Sequence, residues 1–391
     1  MSARDTDEAH RASSPLELLF DLTFVVAISQ VAEELGKKID AGQALSGIVP
    51  FIMVFFAIWW AWLNFTWFAS AYDSDDVSYR LLVLLQMAGV LVLAAGVPAA
   101  FEHQNFFGIT LGYFIMRIGL VAQWIRAAIE NPEGRITATR YAVGVTVIQL
   151  LWLSRLLLPT NAANQWWTVY LAFGVLVVLE GLVPYWAERT GMTTWHPFHI
   201  AERYGLFTII LLGETIAVLA LGNNQVVSAG ERVGPLILVG ISALVLIFGL
   251  WWLYFLQPSG EGLAAHRDGS FFWGFGHYFI FAGLGSLGAG LEVVVTSAGG
   301  HSQVPAEVAA WAVAIPVAVY LVSLLVSHLR ILPGIVVHSW IVAPTTLVVL
   351  LLPLLTGSIG LPLTFALLAL VIVGAVAATM ALGRKTFGDT A

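Results

Sequence analysis

Runs of about 20 apolar residues, the length a helix needs to cross a bilayer, follow one another along this chain almost without pause. Twelve can be counted, at 16–35, 47–70, 80–101, 106–128, 138–158, 165–187, 199–221, 234–256, 271–295, 306–328, 334–355 and 360–382. Turn clusters such as Asn131-Pro132-Glu133-Gly134 and Gln257-Pro258-Ser259-Gly260 part most of them, while only Thr356 to Gly360 separates the last two. A soluble core could not use so many apolar side chains: 59% are hydrophobic and 10% charged, where soluble domains carry about 25% charged residues. The chain reads as an all-α polytopic membrane protein of twelve transmembrane helices, with the lipid bilayer as its first partner. Residues 1–14 are polar and expected to be disordered, and 386–391 form a short tail. The run behind the N-terminus contains Asp21 and no small-residue cleavage site, so it is expected to stay as the first span.

Charge and composition remove several function classes. A net charge of −7 with no basic stripe argues against nucleic acid. The absence of cysteine excludes disulfides, thiolate metal sites and cysteine nucleophiles. Lys and Arg also set the orientation. With the N-terminus in the cytoplasm, twelve of the 17 fall inside, from Arg4 and Arg11 to Arg384 and Lys385. Four fall outside (Lys37, Lys38, Arg155 and Arg232), and Arg117 lies within the fourth span. Both termini are therefore expected to be cytoplasmic.

The first span returns in altered form half a chain later. His199 to Thr215 aligns with the stretch from Leu16, setting Leu22 on Leu206 and Ser29-Gln30 on Gly213-Glu214. Trp59-Trp60 has a counterpart in Trp251-Trp252, and Arg126 in Arg330. Six spans separate the copies, an even number, so two parallel six-helix repeats are expected, at 15–190 and 191–385. Resemblance by apolar composition alone is the blander alternative.

The run P-L-E-L-L-F-D-L-T-F-V-V-A-I-S-Q from Pro15, the later H-I-A-E-R-Y-G-L-F-T-I-I-L-L-G-E-T, and H-Y-F-I-F-A-G-L-G-S-L-G-A-G-L-E from His277 resemble the bacterial low-temperature-requirement A family over essentially the whole chain. Thr23 stands where that pattern would have Val. The resemblance implies an integral bacterial membrane protein, placed in the inner membrane and linked by name to growth in the cold. It carries over no catalytic or binding residue.

Ionisable groups inside spans mark candidate sites, because a charge at the bilayer centre costs at least about 2.5–3.5 kcal/mol. Counting helical rise from each span's inner end places Asp21, Glu180, Arg203 and His277 in an inner tier. Gln30, Glu214 and Arg117 fall in a second tier near the midplane. Arg203 and Glu214 share one helical stripe, whereas Asp21 and Gln30 lie on opposite faces of their span. These seven residues either line a route for an ion, a proton or a small solute, or neutralise one another as packing pairs, Asp21 with Arg203 and Glu214 with Arg117.

Other polar clusters read first as structure. His196, His199 and Glu202 have a spacing that could suit a metal, but Thr194 and Pro197 mark a helix start. Asp73, Asp75 and Asp76 read as a solvated acidic loop before they read as a cation site. No metal or cofactor is expected. No H-E-x-x-H or G-x-S-x-G motif is present, so an enzyme is not expected, and the lack of a soluble output domain weakens a sensor. A secondary transporter or proton-linked permease leads, with an ion channel as the alternative. Homo-oligomerisation and the identity of the cargo stay open at this level.

Overall fold

The computed structural model describes residues 2–4, 12–158, 166–228, 233–332 and 338–388. Twelve helical segments among them are long and apolar enough to cross a membrane, as the apolar runs require, and the chain is a multi-pass membrane protein. In chain order the helices are α1 (Pro15–Asp40), α2 (Ala44–Ala71), α3 (Val77–Ala95), α4 (Val97–His103), α5 (Phe107–Glu130), α6 (Arg135–Arg155), α7 (Trp166–Ala187), α8 (Pro197–Ser228), α9 (Val233–Phe255), α10 (Ser259–Ala265), α11 (Ser270–Gly299), α12 (Ala306–His328), α13 (Ser339–Leu351), α14 (Thr356–Ile359) and α15 (Leu361–Gly388).

Two compact units emerge. One takes Met1–Gln30 and Met53–Ile200, the other Val31–Ile52 and Ala201–Ala391. The far half of the α1–α2 hairpin thus packs within the second unit, so the units do not follow a simple cut near residue 190. In the first unit α3 packs on α5, α5 on α6 and α6 on α7. In the second, α11 packs on α12, α12 on α13, and α9 on both α11 and α15.

Helix ends follow local chemistry. Ser14 and Glu17 form a capping box at the start of α1: the Glu17 carboxylate accepts the Ser14 N–H at 2.7 Å, and the Ser14 hydroxyl accepts the Glu17 N–H at 3.2 Å. At its other end α1 runs five residues past the expected boundary, where Lys37 pairs with Glu33 and Glu34 at 2.8 Å on one helix face. The third span breaks into α3 and α4 at Gly96, and the eleventh is interrupted by a 3-10 turn at Leu352–Leu355 around Pro353. Gly360, with a φ of 83°, turns the chain into α15.

The polar N-terminus departs from expectation at its first residues. Ser2–Ala3 pair antiparallel with Tyr72–Asp73, and the Arg4 N–H donates to the Ala71 carbonyl at 3.1 Å. The C-terminal turn of α2 leaves backbone groups without helical partners, and the first residues of the chain satisfy some of them. The rest of the expected disordered segment, residues 1 and 5–11, lies outside the described residues, as do Arg232 and the last three residues of the expected tail.

Close packing relies on small residues, as is usual between membrane helices. In the first unit a Cβ added to Gly89 would sit 2.7 Å from the Gly112 carbonyl and 2.9 Å from the Met116 nitrogen, and one on Gly96 would sit 2.9 Å from the Ile109 nitrogen. In the second unit, Gly283 is opposed by the Pro316 carbonyl and the Tyr320 nitrogen at 3.1 and 3.3 Å, and Gly290 by the Val313 nitrogen at 3.1 Å.

Candidate functional site

Glu180, on α7 in the first unit, is a heavily bonded charge inside a span and is 3% exposed. Its Oε1 accepts the Tyr113 hydroxyl at 2.7 Å and the Trp152 indole N–H at 3.0 Å. Its Oε2 accepts the Trp60 indole N–H, and the Arg117 guanidinium stands 3.4 Å away. Three helices, α2, α5 and α6, each send one or more donors to this carboxylate on α7. Arg117 also donates to the Tyr113 oxygen and lies over the Tyr113 ring, 4.4 Å from its centroid. The spacing explains part of this arrangement, since Tyr113 and Arg117 are four apart and share one face of α5.

This pairing revises the two-tier arrangement. Arg117 and Glu180 belong together at one site, and the carboxylate that neutralises Arg117 in the first unit is Glu180. A guanidinium sits at the end of a long stem, so the depth of its Cα does not fix the depth of its charge. The bonding is also lopsided. Arg117 uses Nη2, while its Nε and Nη1 are buried with no hydrogen-bond partner among the described residues.

A cavity of about 30 Å³ lies beside this cluster, and Tyr113, Trp152, Thr110 and Arg155 stand in its wall with Phe106 and Phe173. Two residues that hold Glu180 therefore also line the cavity.

The other candidates are spread over both units. Asp21 is fully buried in the first unit and accepts the Trp62 indole N–H at 2.7 Å. Gln30 is half-buried. In the second unit Arg203 is fully buried and Glu214 is half-buried. His277 is buried and closed off by its bonds. Its Nδ1 meets the Trp273 carbonyl at 2.8 Å, which makes that nitrogen the N–H donor and leaves Nε2 to accept the Tyr254 hydroxyl at 3.1 Å. His328 repeats the pattern, with Nδ1 on the Leu324 carbonyl and Nε2 accepting from Trp273. Both rings are thus bonded at both nitrogens, and the cluster works as a polar clasp between α9, α11 and α12.

The histidines before α8 also have structural partners. His199 lies 3.3 Å from Glu17, and His196 caps α8 by accepting the His199 N–H at 3.4 Å. Thr194, the expected cap, instead donates to the Ala71 carbonyl. Among the acidic loop residues, Asp75 pairs with Arg80 at 2.7 Å, and Asp76 caps α3 through the Tyr79 N–H while binding Arg126. Hydrogen bonds from Arg126 and from Tyr79 hold the Asp76 carboxyl well below the usual carboxylate range, and Arg80 lowers that of Asp75.

Sequence reasoning missed the three aromatic donors to Glu180. Tyr113 was findable from its spacing to Arg117. Trp60 stood out only as half of a repeated pair, and nothing in the sequence marks Trp152. The two pairs differ in surroundings: Trp59 and Trp60 are 3% and 2% exposed, whereas Trp251 and Trp252 are 42% and 43% exposed on the face of α9.

A curated relative from Rhizobium meliloti (strain 1021), described as an uncharacterized protein, is 28% identical over 293 residues, covering 72% of this chain and 68% of its own length. The family model for the bacterial low temperature requirement A protein matches residues 12–381, nearly the entire length. This multi-pass chain belongs to the bacterial low temperature requirement A family.

Proposed function

We propose that this protein is a secondary transporter or proton-linked permease of the bacterial inner membrane, moving an ion or a small polar solute past the Glu180–Arg117 site. The observation that carries this reading is the cavity against Tyr113 and Trp152, the two residues that bond Glu180 through the same oxygen. A buried ion pair kept only for packing could be replaced by apolar side chains without loss of stability. A pair placed next to a cavity and held by donors from several helices is suited to exchange partners when a solute arrives. Glu214 supplies a second titratable group in the other unit.

Two parallel six-helix repeats form the frame of this proposal, and the glycine contacts support it. Gly89 and Gly96 correspond to Gly283 and Gly290, with the same spacing in α3 and its C-cap as along α11. Their opposing residues Gly112, Met116 and Ile109 map onto Pro316, Tyr320 and Val313 by the same constant shift that carries Arg126 onto Arg330. Matching backbone atoms are met in each case, carbonyl for carbonyl and nitrogen for nitrogen. Apolar composition alone gives no reason for such a correspondence.

Both termini in the cytoplasm follow from the bias of Lys and Arg. The chain has no cysteine, so Gly134→Cys introduces a unique label on the α5–α6 turn. The expected result is protection from an impermeant thiol reagent applied outside intact cells and labelling after permeabilisation. Labelling from outside would invert the orientation.

Flux into proteoliposomes, measured against a panel of ions and polar solutes with and without a proton gradient, tests the transport assignment. Saturating flux of at least one solute is expected. Unitary currents without saturation would move the assignment to a channel, and no flux under any gradient would remove it.

A further inference from the structure

We propose that the first unit holds a binding site for one small inorganic anion of halide size, with the Arg155 guanidinium as its charged ligand. Arg155 ends α6, is 8% exposed, and stands in the wall of the cavity beside Tyr113 and Trp152. Its charge is surrounded by ring faces: Phe106, Phe173 and Trp152 lie 5.2, 5.7 and 5.8 Å from the guanidinium carbon. Aromatic faces lower the cost of burying a cation, but they bring no counter-charge. The Nε and Nη2 groups of Arg155 are buried and have no hydrogen-bond acceptor among the described residues.

An unpaired buried N–H on a charged group costs more than an ordinary lost hydrogen bond, so its persistence beside open space points to a ligand that accepts. The carbonyl end of α6 offsets part of the charge without meeting these two nitrogens. Charge balance along the cavity points the same way. Tyr113 and Trp152 lie between two guanidiniums, Arg155 in the cavity wall and Arg117 at Glu180, and the Glu180 carboxylate already accepts four donors. Arg117 Nε and Nη1 have no hydrogen-bond partner among the described residues either, so the donor surplus continues to the Glu180 site.

Size sets the ligand class. A cavity of about 30 Å³ has room for about one or two water-sized particles. A halide fits, with the Thr110 hydroxyl in the wall as a further donor, whereas a phosphodiester headgroup does not. This inference deepens the transport reading, because it makes a small anion the cargo or a co-ion of that same route, but the binding itself does not depend on flux.

The test uses the purified full chain in phosphatidylcholine nanodiscs, with bromide replacing gluconate at constant sodium concentration. Bromide quenches an indole that it touches, and Trp152 stands in the cavity wall. Saturable quenching is expected from the wild type. Folded Arg155→Gln should lose the saturable component, and Arg155→Lys, which keeps charge without the planar fork, should weaken it at least threefold. If Arg155→Gln fails to elute as a single species, Arg155→Lys carries the comparison alone. Absence of saturation in the wild type, or unchanged saturation in either folded variant, overturns the site. So does loss of saturation when phosphatidylglycerol enters the nanodisc, which would assign Arg155 to a lipid phosphate. Intact saturation alongside zero flux would defeat the transport reading and leave the anion site standing.

Discussion

Replacing Glu180 by leucine destabilises the protein by about 3–5 kcal/mol, the usual cost of stranding one member of a buried ion pair. Arg117 is 2% exposed and would lose the carboxylate that it pairs with. Trp60, Tyr113 and Trp152 would lose their acceptor at the same time. Adding Arg117→Met to Glu180→Leu removes the stranded cation, so the double variant should recover part of the loss. Recovery stays incomplete because the three aromatic donors remain unpaired, each at a cost of about 1–3 kcal/mol. Thermal unfolding followed by size-exclusion chromatography in mild detergent measures the cycle. Equal stability of wild type and Glu180→Leu would remove Glu180 from the centre of the first unit.

The second large effect concerns helix contact. Gly112→Ala would place a Cβ 2.7 Å from the Leu93 Cα, and Gly290→Ala would place one 2.6 Å from the Ala312 carbonyl carbon. Both collisions are with backbone, which cannot swing away as a side chain can, so the paired helices must separate. Overpacking of this kind costs about 1–3 kcal/mol and more where nothing can move. Gly174→Ala on α7 is the matched control, since no atom lies within 4 Å of the added carbon. It should be neutral or stabilise by up to about 1 kcal/mol through helix propensity. Melting midpoints of the three variants check this, and a tolerated Gly112→Ala would mean that α3 and α5 are not in contact as described.

Architecture was legible in the sequence because a bilayer sets span length directly, and the turn residues between apolar runs mark where helices stop. Breaks within spans were harder to see. The α3–α4 break falls at Gly96, two residues before Pro98, which has no N–H to continue the helix, and the close approach of Gly108 to Gly96 is a contact that no single segment announces. Arg117 and Glu180 stood out as charges in apolar runs, yet their pairing did not, since depth was counted on Cα positions of separate helices. The tryptophans were the least legible. Trp60 and Trp252 look alike in sequence, but one is sealed against a carboxylate and the other faces outward. An indole in a membrane helix suits either setting, and only a partner on another helix decides between them.

Tyr113 is the residue on which the functional account turns, because its hydroxyl bonds Glu180, accepts from Arg117 and borders the cavity. Tyr113→Phe keeps the ring, its packing and the Arg117–Glu180 pair, and removes one oxygen. The decisive measurement is the initial rate of solute or anion flux into proteoliposomes by this variant, compared with wild type at equal reconstituted amounts. A rate at least tenfold lower is expected, with a melting midpoint close to that of wild type. A folded Tyr113→Phe protein that transports at the wild-type rate would contradict it.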